Sequence, residues 1–358
     1  MRTDELDYDL PESRIARSPA PERDAARLLV VSRSDPHRLE HRIVRDLPEI
    51  LGADDILVFN TTRVIPARFQ GRNLATGGRV QGLYLGPADE PGCWRVLLKM
   101  RRHRPGLRIG LHHPDRPDAV VELELVERQS EDGQWIVRVV GAMSDDEALE
   151  RVGLPPLPPY ILAARRRSGE VVDRIEDVHR YQTVYAHDRG SVAAPTAGLH
   201  FTPELLDRLR TAGVGEAQVT LHVGRGTFLP VETAVLEEHP MHSERCVIDQ
   251  PTLDFLTSAS DAGRRVIPVG TTSCRAIESF AGRGLAGEIE TDILISPGYQ
   301  WKLTDGLMTN FHQPRSTLLA MVAALFPEGM DRLREIYDAA LAEEYRFLSF
   351  GDAMLVLP

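Results

Sequence analysis

Cysteine is scarce, with three in 358 residues (Cys93, Cys246 and Cys274), and they are widely separated. That excludes a disulfide framework and leaves no zinc-ligand spacing, so the three read as small buried hydrophobes. Long apolar runs are missing too. No stretch approaches the roughly 18 residues that a membrane span requires. The opening MRTDELDYDLPE is acidic and polar, where a secretory signal has a basic end and an apolar centre. The expectation is a cytoplasmic protein with no membrane partner. Neither a fixed-period repeat nor a low-complexity tract is present. No GxGxxG follows a first strand, and P-loop and GxSxG patterns are lacking, which weakens the usual dinucleotide, phosphoryl-transfer and serine-hydrolase readings.

What is present is the mixture of a globular chain, 42% hydrophobic and 27% charged. The formal net charge of −11 argues against indiscriminate nucleic-acid binding but leaves room for a local basic surface. RVLLKMRRHRPGLR, residues 95 to 108, holds six Lys or Arg and no acid, and Arg165, Arg166 and Arg167 form a second basic run. Each is either a solvated face or a phosphate contact.

Texture changes along the chain. Six short strand signals (VIPARF, RVQGLYL, WRVLLKM, LRIGL, AVVELELV and WIVRVV) follow one another between residues 64 and 140, as in a small antiparallel barrel or sandwich. Ser144 and Glu147 then make a capping box before a short helix. After LPPLPPY the pattern becomes strand and helix in alternation. Thr202 and Pro203 read as the cap and first residue of a helix over PELLDRLRTA. AQVTLHV, RRVIPVG, TDILISP and GLMTNF read as strands, and CRAIESFA, RSTLLAMVAALF and MDRLREIYDAALAEEYRF as helices. The early segments ARLLVV and DDILVFN look like strands of the same sheet. The fold class expected is therefore α/β: a discontinuous α/β domain, residues 1–63 and 151–358, with a small antiparallel β-barrel domain inserted at 64–150.

Open α/β sheets bind ligands at the carboxyl ends of their strands. The segments at those ends are LHFT with His200, LHVGRGTF with His222, Gly224 and Gly226, VGTTS with Thr271, Thr272 and Ser273, and TNFHQPRST with Asn310 and His312. Glycines, hydroxyls and imidazoles suit a pocket that brings backbone close to a polar ligand. The TTS hydroxyls are either helix caps or part of an anion site at a helix N-terminus. A single histidine at a strand end is more often structural, but three at equivalent places favour function. In EHPMHSE, His239 and His242 lie three apart beside Glu238 and Glu244. HxxH alone is a weak metal signal and nothing completes it, so a hydrogen-bonding cluster is expected and no metal.

Twelve stretches taken together are more specific than any one of them: DYDLPESRIA, RDAARLLV, LVFNTTRVIPAR, LPPYI, RYQTVYA, GSVAAPTAGLHFT, VTLHVGRGTFLPV, HPMHSE, VGTTSCRAIES, TDILISPGY, DGLMTNFHQPRSTLL and YRFLSFGDAML. In this order, over essentially the whole chain, they resemble the S-adenosylmethionine:tRNA ribosyltransferase-isomerase family of queuosine biosynthesis. The resemblance implies an α/β domain paired with a β-barrel. It implies transfer and isomerisation of the ribosyl moiety of S-adenosylmethionine onto 7-aminomethyl-7-deazaguanine at the tRNA wobble position. The products implied are epoxyqueuosine-tRNA, adenine and L-methionine. S-adenosylmethionine is consumed, no cofactor is implied, and the acceptor is a tRNA with a GUN anticodon, handled by a monomer. His200, His222 and His312 become candidate proton carriers and Asp305 an orienting acid. Pro195, Thr196, Gly198, Gly224, Arg225, Gly226, His242, Glu244, Thr271, Thr272, Ser273, Arg275 and Asn310 become candidate substrate contacts. Arg101, Arg102, Arg104, Arg165, Arg166 and Arg167 become candidate phosphate contacts. The chain departs from the family pattern at Thr61, Gln81, Arg225 and Gln313. A homologue that binds tRNA or S-adenosylmethionine without catalysis is the alternative.

Overall fold

The computed structural model describes residues 1–35, 38–129, 133–224, 231–281 and 283–358. The chain divides into two compact units, Met1–Arg63 with Pro158–Val172 and Gln182–Pro358, and Val64–Leu157 with Asp173–Tyr181. In chain order the strands before the second unit are β1 (Arg27–Ser32), β2 (Leu39–Ile43), β3 (Asp55–Asn60) and the short β4 (Thr62–Val64).

The second unit holds β5 (Arg68–Asn73), β6 (Arg79–Pro87), β7 (Cys93–Lys99), β8 (Arg108–His113), β9 (Arg116–Arg128) and β10 (Gln134–Val139). These close into an antiparallel barrel in the order β10-β7-β6-β5-β8-β9. Closure removes the exposed edges of a small sheet, and alternation fills the inside: Trp135, Val137 and Val139 of β10 are buried while their neighbours are half exposed. The unit extends past residue 150, where the sequence places its end. Leu154 exchanges backbone hydrogen bonds with Arg68, and the Arg68 guanidinium pairs with Asp173, which draws Asp173–Tyr181 to the barrel.

The first unit continues with β11 (Asp188–Ser191), β12 (Gly215–Leu221), β13 (Glu244–Ile248), β14 (Arg265–Val269), β15 (Gly287–Thr291), β16 (Leu307–Asn310) and β17 (Ala353–Leu357). Nine strands form one sheet in the order β15-β13-β12-β3-β14-β16-β17-β1-β2, and β11 pairs with β4. β12, β3, β14 and β16 run parallel, and β17 runs antiparallel to β16. Every residue of β3, DILVFN, is buried, as a strand covered on both faces requires. Leu57 and Phe59 pack with Leu205 and Leu209 of the helix Pro203–Thr211. Ile56 and Val58 pack on the other side with Leu253, Leu256, Ile277 and Phe280, from the helices Gln250–Asp261 and Thr271–Phe280. The C-terminal helix Met330–Ala342 buries Leu333, Ile336, Tyr337 and Ala340, the apolar side read from the sequence.

TDILISP is not a strand. β15 ends at its first residue, Thr291, whose hydroxyl takes the Ile293 N–H. Ile293, Leu294 and Ile295 instead pack into the cluster around the C-terminal helix, so their apolar character reflects packing and not sheet pairing.

Thr202 caps its helix through a 3.1 Å bond from the Leu205 N–H. Thr202→Ala is expected to destabilise the first unit by about 1 kcal/mol, read as a lowered urea midpoint for loss of the sheet signal. An unchanged midpoint would show that the cap contributes nothing.

Candidate functional site

β3, β14 and β16 are neighbours in the sheet and end side by side at Asn60, Val269 and Asn310. A cleft of about 680 Å³, counted out to its open mouth, lies at these ends. One wall is the run Ala194–Ala197. Gly270, Thr271 and Thr272 follow β14 into it, and Thr309–Gln313 contribute from the end of β16. Tyr160, Ser316, Leu348 and Ser349 complete the rim. No Asp, Glu, Lys or Arg is among the described lining residues, so the cleft is polar but uncharged. Gly270 caps the helix Thr271–Phe280 at φ 90°, a conformation that favours glycine. A side chain there would stand 3.7 Å from Ala197 Cβ and 3.8 Å from Thr272 Oγ1.

Two buried carboxamides set the polarity of the walls. Asn60 donates from Nδ2 to the Leu221 carbonyl at 3.0 Å and to Thr272 Oγ1 at 3.1 Å, while its Oδ1 accepts the Thr62 and Leu221 N–H groups. Asn310 donates to the Asp352 carbonyl at 3.3 Å and accepts the Thr196 hydroxyl at 2.8 Å. Its Nδ2 also lies 3.2 Å from His200 Nε2. Thr196 therefore turns its lone pairs outward.

The three candidate histidines are not equivalent, and His200 closes the short 3-10 helix Thr196–His200 where the sequence suggested a strand end. His312 lines the cleft, with Nε2 2.8 Å from Thr309 Oγ1, and burial pushes its pKa down to about 4. His200 is only 5% exposed and stands behind Asn310, outside the lining. Burial lowers its pKa to about 4 against the opposing pull of Asp352. His200 thus meets Asn310 and, unlike His312, does not itself line the cleft. His222 follows β12 and holds Thr62 Oγ1 at 2.8 Å through Nδ1; burial, then Arg245, lowers its pKa, and it too is outside the lining.

Other expected residues divide in the same way. Pro195, Thr196, Thr271, Thr272 and Asn310 line the cleft. Ser273 does not, because its hydroxyl bonds back to the Val269 carbonyl at 2.8 Å. Gly198 is not a contact surface either: a Cβ there would meet the Tyr185 hydroxyl at 2.0 Å, so its glycine serves close packing. Asp305 is removed from the site altogether. It precedes β16 and accepts the Val266 N–H at the start of β14, the sheet end away from the cleft. Glu244 and Arg275 form a buried ion pair, and Glu244 also takes the Gly224 N–H at 2.9 Å. Arg275 Nε and Nη2 have no hydrogen-bond partner among the described residues. His242 is exposed and outside the lining. Arg225 and Gly226 lie outside the described residues.

Arg101, Arg102 and Arg104 are exposed between β7 and β8, in a loop where His103 stacks on Trp135 at 5.7 Å. Arg166 is exposed and Arg167 pairs with Glu12 at 3.1 Å. Arg165 is corrected: it is fully buried and donates to the carbonyls of Arg17 and Val172, so it is a structural arginine and no surface cation. Among the departures, Thr61 is buried and bonds Asp188 at 2.7 Å, Gln313 lines the cleft, and Gln81 is exposed on the barrel. Sequence reasoning missed Asn60, Tyr160 and Thr309. The signal for Asn60 was a carboxamide closing the apolar run ILVF of β3. Among the described residues there is no group of three or more side chains placed to hold a metal, and no helix long and apolar enough to cross a membrane.

Two imidazoles held at pKa about 4 imply a pH dependence. In the unfolded chain they titrate near 6.5. Between pH 6.5 and 4 the unfolded state binds more protons, so stability is full above that window and is lost as pH falls through it. His200→Gln should flatten the stability profile in this window, measured by urea unfolding at stepped pH. Parallel profiles for the two proteins would contradict burial of a neutral His200.

Comparison with known proteins adds to this geometry. The family model described as "Queuosine biosynthesis protein" matches residues 3–356. A protein of Thermus thermophilus named S-adenosylmethionine:tRNA ribosyltransferase-isomerase is 48% identical, over 98% of this chain and 98% of its own. One of Desulfitobacterium hafniense with the same name is 44% identical over the full length of both. The crystal structure of S-adenosylmethionine tRNA ribosyltransferase from Thermotoga maritima aligns at TM-score 0.53 and 32% identity, covering 99% of this chain and 100% of that one. With the family model spanning nearly every residue, and a nine-stranded α/β sheet and closed six-stranded barrel beneath it, the chain belongs to the queuosine biosynthesis protein family.

Proposed function

We propose that the protein transfers and isomerises the ribosyl moiety of S-adenosylmethionine onto the aminomethyl group of 7-aminomethyl-7-deazaguanine at the wobble position of tRNAs with GUN anticodons. The products are epoxyqueuosine-tRNA, adenine and L-methionine. The observation that carries this reading is full-length similarity, at 44% and 48% identity, to relatives named for that activity. The cleft supports it chemically. The donor carries a sulfonium, a fixed cation that acidifies the neighbouring ribose carbon, and a wall without Lys or Arg does not repel it. Small neutral residues let the nucleoside approach the backbone and keep water from reactive intermediates.

The reaction must take a proton from carbon, give hydrogen-bonding help to departing adenine, and deprotonate an amine whose reference pKa is about 10. His312 is the imidazole that lines the cleft, neutral at pH 7 and able to accept a proton, so it is the proton carrier in this reading. His200 acts through Asn310 as a positioning residue. Glu244 and Arg275 hold Gly224 at the end of the β12 loop. S-adenosylmethionine is a consumed substrate here, and no metal or redox cofactor takes part. A single chain working in the cytoplasm completes the reading.

Anticodon loops present unpaired bases, so exposing the wobble base costs little. Arg101, Arg102 and Arg104, with Arg166 and Arg167, are the exposed cations that meet phosphate. Replacing Arg101, Arg102 and Arg104 with Ala should weaken tRNA binding and flatten its salt dependence, by about 0.7 to 0.9 in log–log slope for each phosphate no longer neutralised. An unchanged slope would remove this loop from the interface. The reaction itself is tested by mixing the protein with S-adenosylmethionine and tRNA bearing 7-aminomethyl-7-deazaguanine. Adenine and methionine should appear in equal amounts and only with that tRNA. Binding of both substrates with no adenine released would instead favour a non-catalytic homologue.

A further inference from the structure

Asn60 determines what Thr272 can offer a ligand. It is fully buried at the end of β3, and the main chain leaves its amide one orientation. Two backbone N–H groups, of Thr62 and Leu221, both at 3.1 Å, can meet only the oxygen, and the Leu221 carbonyl at 3.0 Å can meet only the nitrogen. The second hydrogen of that nitrogen goes to Thr272 Oγ1 at 3.1 Å. Thr272 is thus an acceptor toward Asn60, and its own hydrogen must point elsewhere. A helical threonine usually returns that hydrogen to the carbonyl four residues back. Ser273 does this, to Val269, but Thr272 does not. Thr272 is 6% exposed, lines the cleft, and has no acceptor for its hydroxyl hydrogen among the described residues.

Its surroundings say what that hydrogen meets. Thr272 sits in the first turn of the helix Thr271–Phe280, where the leading N–H groups have no intrahelical partner. That turn contains no acidic residue, and the Gly270 cap has no side chain to fill it. One turn on, the buried Arg275 is paired with Glu244 and its charge is met there. The leading N–H groups, the Thr272 hydroxyl and the positive end of the helix dipole come together here, and the complementary group is an anion. In S-adenosylmethionine, the donor proposed above, the only anion is the α-carboxylate of the methionyl part. Resting on that reading, we infer that Thr272 and the N-terminus of its helix receive this carboxylate, and that Asn60 is a positioning residue that turns the Thr272 hydroxyl to it.

The test compares two ligands on the full chain by calorimetry, with saturating unmodified tRNA present so that nothing turns over. One ligand is S-adenosylmethionine. The other is its decarboxylated form, which keeps the sulfonium and the nucleoside. The wild-type protein should prefer S-adenosylmethionine by tenfold or more, about what a hydrogen bond to a charged group is worth. Thr272→Val should cut that preference about tenfold by weakening S-adenosylmethionine alone, and Thr272→Ser should restore it. Asn60→Asp puts an acceptor where the donor was, captures the Thr272 hydrogen, and should match Thr272→Val. Should that chain not fold, Asn60→Ser, which also lacks the amide donor, takes its place. A Thr272→Val protein that loses affinity equally for both ligands, or keeps the wild-type preference, overturns the inference. A folded Asn60 variant with the wild-type preference overturns the positioning role. Failure of the wild-type protein to bind either ligand overturns the proposed function itself.

Discussion

The carboxamide of Asn60 makes four hydrogen bonds at once, to the Thr62 N–H, to both backbone groups of Leu221, and to Thr272 Oγ1. It thereby ties the end of β3 to the end of β12 and to the helix that follows β14. Asn310 plays the matching part at the end of β16, joining Thr196, His200 and Asp352. These two amides flank Gly270 in the sheet order. An unpaired polar group in such a place would cost about 1 to 3 kcal/mol or more, so the network is an all-or-none arrangement. Its consequence is chemical: one wall threonine is left as a donor and the other as an acceptor, in a cleft whose described lining carries no Asp, Glu, Lys or Arg.

Much of this was legible in the sequence, and the exceptions share a cause. The barrel, the parallel core and the C-terminal helix were readable because alternation, apolar runs and heptad-like spacing are local signals. Thr202 was readable as a cap because its partner lies three residues away. TDILISP misled because its apolar residues pack against a helix and not a strand. The site was half legible. Strand-end reasoning found Thr271, Thr272, Asn310 and His312, and the family resemblance added Thr196, all on the cleft wall. Strand ends also nominated Ser273, and the resemblance Asp305 and Gly198, whose partners were invisible in one dimension: an i−4 carbonyl, a strand start and a tyrosine hydroxyl. Asn60 was missed because its partners are 161 and 212 residues away. Arg165 read as a surface cation because its neighbours are arginines, yet carbonyls capture its guanidinium inside.

Charge is distributed in keeping with the proposed chemistry. The chain carries −11 overall, but no Asp, Glu, Lys or Arg is among the described residues that line its cleft, and Arg101, Arg102 and Arg104 are exposed on one barrel loop. A negative surface disfavours casual binding of nucleic acid, so contacts must come from particular basic positions. The buried Glu244–Arg275 pair is another matter. Removing one partner of such a pair costs about 3 to 5 kcal/mol, and here the carboxylate also holds the Gly224 N–H. The pair anchors the start of the loop after β12, and Arg275 Nε and Nη2 meet no further partner among the described residues.

The central claim is that the uncharged cleft at the ends of β3, β14 and β16 is where S-adenosylmethionine is held. A crystal structure of the protein grown with S-adenosylmethionine tests it most directly. The account predicts the nucleoside against Pro195–Ala197, with the sulfonium clear of any cation and His312 within hydrogen-bonding reach of the ribose or the base. An empty cleft, with S-adenosylmethionine ordered elsewhere on the molecule, would contradict it.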